Sequence, residues 1–506
     1  MQIIKKIGLF IFLIGLTVFT ILPFIGEFKV TPATMDQIIR EKGISSEFFI
    51  DRMQENVVGK QFQGMLSLSP KITQALEAAN AQHRKNKEYK KIIYTGPHDL
   101  AATVGKASGS GFIVENKGLM WFLTFGLGII GALLFIVPNV VLLGQKGIKN
   151  NGIYHENATN RGWIAWLVFV FLVSFYLVLY FRSEFAVNWT YLVDPISGFL
   201  SGNPAGHWFV YGFMYCTVMT VMAVRMYIKY RYNMYQMVRT TSVLFFQIVF
   251  AFLIPEIMER LQMPYYDFKN AFPLDYDFFF QWNLKSLLNS GGIGLFILVW
   301  GIVLTLVIVP VMVYFFGKRW YCSWVCGCGG LAETLGDPYR QHSSKSLFSW
   351  KVERWLVHGV LVFAVGMTMM TLYSFFTESG TVLGVIGTGF YPIFGNRVWC
   401  RFGCPLAAYL GFVQRFKSRF RITTNGGQCI SCGNCSTYCE QGIDVRAYAQ
   451  KGENIVRSSC VGCGICSAVC PRGVLKLENG PLKGRINPTE VLLGNDVDLM
   501  ELVNNK

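Results

Sequence analysis

Cys429-Ile430-Ser431-Cys432-Gly433-Asn434-Cys435-Ser436-Thr437-Tyr438-Cys439 and Cys460-Val461-Gly462-Cys463-Gly464-Ile465-Cys466-Ser467-Ala468-Val469-Cys470-Pro471 spell one pattern twice, C-x2-C-x2-C-x3-C. In this spacing three thiolates close around one iron–sulfur cube and the fourth crosses to its neighbour. The expected ligand sets are therefore Cys429, Cys432, Cys435 and Cys470 for one [4Fe-4S] cluster, and Cys460, Cys463, Cys466 and Cys439 for a second. Zinc is the competing occupant, but structural zinc sites usually join two short C-x2-C pairs and not continuous runs of four. Glu440 stands where the first copy would often carry proline. That departure is expected to touch the turn and not the ligands.

The stretch resembles the bacterial two-cluster ferredoxins, which implies a small α+β module over residues 422–479. The rest of the chain is different material. Of 506 residues, 52% are hydrophobic and only 15% charged, too apolar for an ordinary soluble protein. A bilayer core about 30 Å thick needs about 20 apolar residues as helix. Seven stretches meet or approach that length: Ile7–Gly26, Leu119–Leu143, Trp163–Phe181, Trp208–Ile228, Ser242–Met258, Ile293–Phe316 and Trp355–Phe376. An eighth, Thr381–Phe394, is short and glycine-rich and reads as a re-entrant segment or a broken helix. The fold expected is a polytopic α-helical membrane protein of 7–8 spans with a C-terminal cytoplasmic, α+β, ferredoxin-like two-cluster domain.

Lysine and arginine in the short loops give the orientation. Lys146, Lys149 and Arg161 follow the second span, Lys229, Arg231 and Arg239 the fourth, and Lys318 and Arg319 the sixth. With the N-terminus inside, these loops are cytoplasmic, and the protein is a multi-pass component of the inner (cytoplasmic) membrane. The formal charge of +16 then reflects topology and contact with membrane lipid. No motif supports nucleic-acid binding. Thirteen of the 14 cysteines follow the sixth span, on the reducing side; Cys216, inside the fourth, reads as packing.

The expected organisation is an N-terminal anchor over 1–26, an exoplasmic segment over 27–118 and a membrane body over 119–316. A cysteine-bearing membrane portion follows over 317–421, then the ferredoxin module over 422–479 and a polar tail over 480–506. The first stretch follows Lys5 and Lys6 and reads as a retained anchor, being longer than a signal-peptide core. The exoplasmic segment contains no cysteine and no C-x-x-C-H haem motif, and should hold a helix opened by Ser69-Pro70.

A smaller repeat lies at the membrane edge. Gly317-Lys318-Arg319-Trp320-Tyr321-Cys322-Ser323-Trp324-Val325-Cys326 matches Gly395-Asn396-Arg397-Val398-Trp399-Cys400-Arg401-Phe402-Gly403-Cys404. Both read Gly-x-Arg-x-aromatic-Cys-x-aromatic-x-Cys in the first copy's order, with Phe402 and Gly403 completing the second. In a helix, C-x3-C places both sulfurs on one side. Two pairs together would supply four thiolates for a third Fe-S cluster, a metal site or a redox-active dithiol. Arg319 and Arg397 are expected to favour the thiolate form and to anchor at the headgroups. The bland alternative is packing at helix ends.

This layout is similar to the membrane-bound 4Fe-4S polyferredoxins of the NapH/NosR/CcoG type, linked to nitrate reduction, nitrous-oxide reduction and oxidase assembly. The likeness covers Lys318 to Leu477. Cys400 through Cys404, followed by Pro405, fits the second C-x3-C-P motif of that group. The first copy departs, since Gly327 and Cys328 follow Cys326, which makes Cys328 a further candidate ligand. The resemblance implies electron transfer between the cytoplasmic ferredoxin module and a redox partner protein in or at the membrane, a quinone, or an exoplasmic reductase. The chain would then be an electron carrier or an oxidoreductase subunit. Two other readings are a copper reductase serving assembly of a respiratory enzyme, and a redox-sensing membrane regulator.

Three weaker signals are set against simpler accounts. Gly126-Leu127-Gly128-Ile129-Ile130-Gly131 spells G-x-G-x-x-G but lies inside an apolar span, where close helix packing explains it better. His358 reads as a hydrogen-bonded packing residue, not a haem ligand. Glu256 and the aromatic loop Tyr265–Phe280 are either a quinol site or a helix-end acid beside an interfacial belt.

Overall fold

The computed structural model describes residues 2–142, 158–275, 278–372, 390–425 and 428–480. Seven helices are long and apolar enough to cross a membrane: Gln2–Phe24, Lys117–Val141, Trp163–Phe181, His207–Lys229, Met234–Arg260, Gly291–Phe316 and Leu347–Met369. They coincide with the seven apolar runs. The fifth begins earlier than its apolar run because Asn233 caps it, its side chain accepting from the Gln236 amide. Most of the eighth stretch, and the tail beyond Gly480, lie outside the described residues, which include only a short helix at Tyr391–Phe394.

The chain divides into two compact units, Met1–Leu142 with Ser174–Thr217, and Leu143–Val173 with Val218–Lys506. In the first, the spans Gln2–Phe24 and Lys117–Val141 meet through glycines. A Cβ on Gly131 would lie 2.3 Å from the Phe12 amide nitrogen, and one on Gly8 would lie 2.7 Å from the Leu134 carbonyl carbon. The G-x-G-x-x-G run is thus a helix-packing surface. Between these spans, β1 (Glu27–Lys29) pairs antiparallel with β2 (Gln61–Gln63) and β3 (Gly109–Ser110), in the order β2-β1-β3. Phe28, Met35, Phe49, Met53, Leu76 and Leu100 are buried in this segment. The expected helix starts a turn earlier than Ser69-Pro70: it runs Met65–Lys85 with Pro70 inside. Gly64 precedes it with φ 72°, so the chain turns there and not at the proline.

The second unit holds every cysteine except Cys216. Its ferredoxin module is a two-stranded antiparallel sheet, β4 (Phe420–Thr424) against β5 (Leu475–Asn479), with Phe420 opposite Asn479 and Thr424 opposite Leu475. Short helices at Asn434–Thr437, Val445–Lys451 and Ile465–Ala468 pack around it. Ile422, Ile443, Val445, Ile455 and Leu475 form the core beneath the cysteine loops.

Much of the aromatic loop after the fifth span packs inward, although Tyr265 stays exposed. Tyr266 and Phe278 are buried with Leu287 and Ile297, and the Trp300 indole donates to the Phe268 carbonyl at 2.9 Å. Tyr276 and Asp277 fall outside the described residues. His358 Nδ1 donates to the Arg354 carbonyl at 2.7 Å, one turn back on an exposed helix face, so it is hydrogen-bonded but not packed.

Candidate iron–sulfur centres

The two ferredoxin loops have one backbone design. The residue before each second cysteine is left-handed, Ser431 at φ 56° and Gly462 at φ 62°. Gly433 at φ 78° and Gly464 at φ 76° then open four-residue helices carrying Cys435 and Cys466. Two left-handed residues per loop turn the backbone amides inward, the concave arrangement that suits an anionic group.

Cys429, Cys432, Cys435 and Cys470 line one small cavity of about 20 Å³, with no other sulfur or carboxylate in its wall. Burial pushes the Cys435 thiol up to about 11, with Cys432, Cys470 and Cys429 adding to it. Burial likewise raises Cys460 to about 11, with Cys439 close enough to contribute. Cys466 is raised well above an ordinary thiol by burial, with Cys460 and Cys439 among its neighbours. As bare thiols these sites stay protonated; metal would have to displace the protons, as thiolate ligation requires. Among the described residues, no three of the sulfurs lie within 4.8 Å of one another. A single zinc with sulfurs at about 2.3 Å would draw them to about 3.8 Å. The donor sets fit iron–sulfur cubes.

The membrane-edge repeat is also a structural repeat, but not the continuous helix expected. Gly317 at φ 69° and Gly395 at φ 96° each break the chain ahead of one helical turn, Arg319–Cys322 or Val398–Phe402. That turn closes by a long backbone bond, Cys326 N–H to the Tyr321 carbonyl at 2.8 Å and Cys404 N–H to the Trp399 carbonyl at 3.0 Å. Cys326 and Cys404 are extended and stand at the N-caps of Gly327–Glu333 and Pro405–Lys417. The C-x3-C pair therefore joins two helices: the first cysteine ends one and the second starts the next. Pro405 enforces the break in the second copy, having no N–H to continue a helix through it.

Both copies come together. Cys322, Cys326 and Cys404 lie in one buried core with Tyr321, Val325, Leu406 and Val461, and Cys328 and Cys463 pack against it. Burial pushes Cys322 up to about 12, opposed by Lys318 and Arg397 and reinforced by Cys326 and Cys400. Burial also raises Cys400, and Arg397 opposes it through a guanidinium N–H 3.9 Å from its sulfur. Cys328, two residues on, draws Cys326 down towards thiolate and is itself raised well above an ordinary thiol by Cys326 and by burial. Arg397 thus supports the thiolate form as expected, yet it is buried and far from any headgroup role. Arg319 does neither: it covers the Phe420 ring at 4.5 Å and donates to the Asn479 side chain at 3.2 Å.

An ion network missed by sequence reasoning ties these groups together. Glu333 accepts from Arg239 at 2.6 Å and Arg340 at 2.5 Å, and also from Arg397. Glu440 pairs with Arg340, and its Oε1 lies 3.1 Å from Arg397 Nε, an ion contact outside good hydrogen-bond alignment. Asp337 pairs with Arg225 at 2.5 Å, Lys229 at 2.6 Å and Arg340 at 2.8 Å. Burial alone would raise Glu333, but the three arginines outweigh it and hold the carboxylate well below its usual range. Glu440 is therefore a buried hub and not a mere change of turn. Glu333, Glu440 and Cys463 lie close enough to suggest a metal. The arginines already occupy those carboxylates.

The second ferredoxin loop docks on this network. Arg239 and Gln236 donate to the Cys463 carbonyl at 2.5 and 2.8 Å, Tyr235 to the Gly462 carbonyl at 2.8 Å, and Ser323 to the Val461 carbonyl at 2.8 Å. The loop of Cys460–Cys466 and the paired C-x3-C cysteines are thus parts of one continuous buried region.

Comparisons with known proteins fall on the same cysteines. Residues 298–351 match a 4Fe-4S binding domain, which takes in Cys322, Cys326 and Cys328. Residues 400–475 match a 4Fe-4S dicluster domain, which takes in Cys400, Cys404 and all eight cysteines of the two ferredoxin loops. The chain is 30% identical over 157 residues to the "Putative electron transport protein YccM" of Escherichia coli (strain K12), covering 25% of this chain and 43% of that one. It is 26% identical over 162 residues to the "Methylamine utilization ferredoxin-type protein MauN" of Paracoccus denitrificans (strain Pd 1222), covering 28% of this chain and 56% of that one. The chain thus spans about half the length of these curated relatives. No solved structure matches. The chain is a multi-pass helical protein carrying two 4Fe-4S binding domains.

Proposed function

We propose that the protein passes single electrons between its ferredoxin module and a redox partner in or across the membrane, through three cluster sites. Cys429, Cys432, Cys435 and Cys470 hold the first, Cys460, Cys463, Cys466 and Cys439 the second, and Cys322, Cys326, Cys400 and Cys404 the third. The single observation that carries this is the shared core: Cys463 packs against the buried cluster that contains Cys322, Cys326 and Cys404. When bound, the clusters supply one-electron redox chemistry, while the protein sets position, burial and charge. Lys318 and Arg397 balance the thiolate charge at the third site. Tyr235, Gln236 and Arg239 fix the second loop against it through its carbonyls. The module lies on the cytoplasmic face, in keeping with the basic loops, and the partner is a membrane quinone or an exoplasmic reductase. This arrangement is that of the NapH/NosR/CcoG-type polyferredoxins.

Iron and acid-labile sulfide per chain, with EPR, test the reading on anaerobically purified protein and on Cys322→Ala/Cys400→Ala. About twelve irons falling towards eight in the variant is the expected result. About eight irons in both would remove the third site. A second reading follows from Cys328, a fifth cysteine beside a four-thiolate set. In that case the membrane-edge cysteines bind and reduce copper for a respiratory enzyme, and copper(I) would bind there in competition with iron.

A further inference from the structure

The proposed electron path does not use a cavity of about 550 Å³ beside Cys400. It is walled by the seventh span, by the helix Pro405–Lys417 and by the loop Arg457–Ser459. Trp355, Phe412 and Phe416 stand on this wall 81%, 58% and 56% exposed, apolar surface that is unfavourable in water and ordinary in lipid. Trp350, Arg354 and Trp355 occupy the first turns of a membrane span, the composition typical of headgroup level.

The charge in the cavity is unbalanced. Glu353 is already taken by Arg401, Nε to Oε2 at 2.7 Å. Arg354, Arg415 and Arg457 also line the wall, and among the described residues none pairs with a carboxylate. Arg354 and Arg457 rest on the Trp350 ring at 4.9 and 5.6 Å, which orients them without neutralising them. Gln441, only 3% exposed, lines the same cavity, and its buried Nε2 has no hydrogen-bond partner. A buried amide donor left without a partner is unfavourable, so this site calls for an acceptor.

We propose that this cavity is a binding site for an acidic phospholipid, its phosphate held by Arg354, Arg415, Arg457 and Gln441 and its acyl chains lying along Trp355, Phe412 and Phe416. Guanidinium forks match phosphate oxygens, and the aromatic mouth matches hydrocarbon. A quinone would supply carbonyl acceptors for Gln441 but would leave three guanidiniums uncompensated.

Native mass spectrometry of the full chain, purified in detergent and given phosphatidylglycerol or phosphatidylcholine, tests the proposal. The expected result is one phosphatidylglycerol retained per chain, and retention about tenfold weaker in Arg415→Ala/Arg457→Ala, with phosphatidylcholine lost from both. Gln441→Leu keeps every charge and should weaken retention by a smaller factor. Iron content equal to wild type shows that each variant is folded. Equal retention of the two lipids, or phosphatidylglycerol binding unaffected by the variants, would overturn the proposal. So would bound quinone displaced by neither lipid.

Discussion

The two ferredoxin loops share their spacing and backbone torsions but not their surroundings. In the first, Cys432 is exposed and Ile430 is 54% exposed. A Cβ on Gly433 would find nothing nearer than Arg446, at 3.8 Å. In the second, a Cβ on Gly464 would lie 2.9 Å from the Tyr235 ring, and one on Gly462 would lie 2.6 Å from Arg319 Cβ. Even the residues after the fourth cysteines differ, Glu440 inside an ion network and Pro471 outside it. Local sequence sets the shape of such a loop, while the surface it meets sets its role. On the proposed reading the exposed loop meets a soluble donor or acceptor, and the docked loop faces the membrane-edge cysteines.

The sharpest way to break this contrast is Glu440→Gln. It leaves Arg340 and Arg397 buried with less carboxylate, at a cost of about 3–5 kcal/mol. Thermal melting should fall markedly, and EPR signals of the second cluster should be lost before those of the first. Little change in melting would mean that the network does not hold the docked loop.

Gly462→Ala and Ser431→Ala compare matched positions of nearly equal φ. Ser431 is already a non-glycine residue there, so its substitution should change melting by about 0.5 kcal/mol or less. The Gly462 change adds a backbone penalty of about 1 kcal/mol and a steric conflict with Arg319, whose Cβ cannot swing away. Loss of iron only from Gly462→Ala is expected. Similar losses from both would locate the constraint in φ and not in docking.

Acid offers a milder test. Glu333 and Asp337 are held below their ordinary ranges, burial notwithstanding, by Arg239 and Arg340 and by Lys229 and Arg225 respectively. Their stabilisation is fully present above about pH 4 and is lost as pH falls through their lower folded values. Melting of the docked region should therefore be level from pH 8 to about 5, monitored by near-ultraviolet circular dichroism. A decline beginning near pH 6 would contradict the network's carboxylate assignment. The smallest expected effect is on access: an iron chelator should remove about four irons from the exposed loop before the others, leaving the docked loop's EPR signal.

Much of this architecture was legible in the sequence. The spans follow from apolar runs, and the cysteine pattern is local. Close packing at Gly131 was legible too, because the place of the glycine run in a span removes a dinucleotide loop from consideration. The ion network was not. Arg239, Glu333 and Arg340 are separated in sequence, and nothing in their neighbours distinguishes a buried pair from a solvated one. Glu440 in a proline position was the available signal, but its meaning depends on Arg340 and Arg397 arriving from elsewhere. The helix break within each C-x3-C was half visible: Pro405 announces it in the second copy, whereas Gly327 and Cys328 conceal it in the first.

The split of the membrane-edge cysteines between two copies has a consequence for biogenesis. A ribosome releases Cys322, Cys326 and Cys328 before the seventh span, and Cys400 and Cys404 only after it. Until both segments meet, each carries thiols with half a coordination shell, open to oxidation or to capture by the wrong metal. On the proposed reading, maturation of a centre there is a late, post-insertion event, and a chain stalled before the second copy presents an incomplete site to cellular quality control.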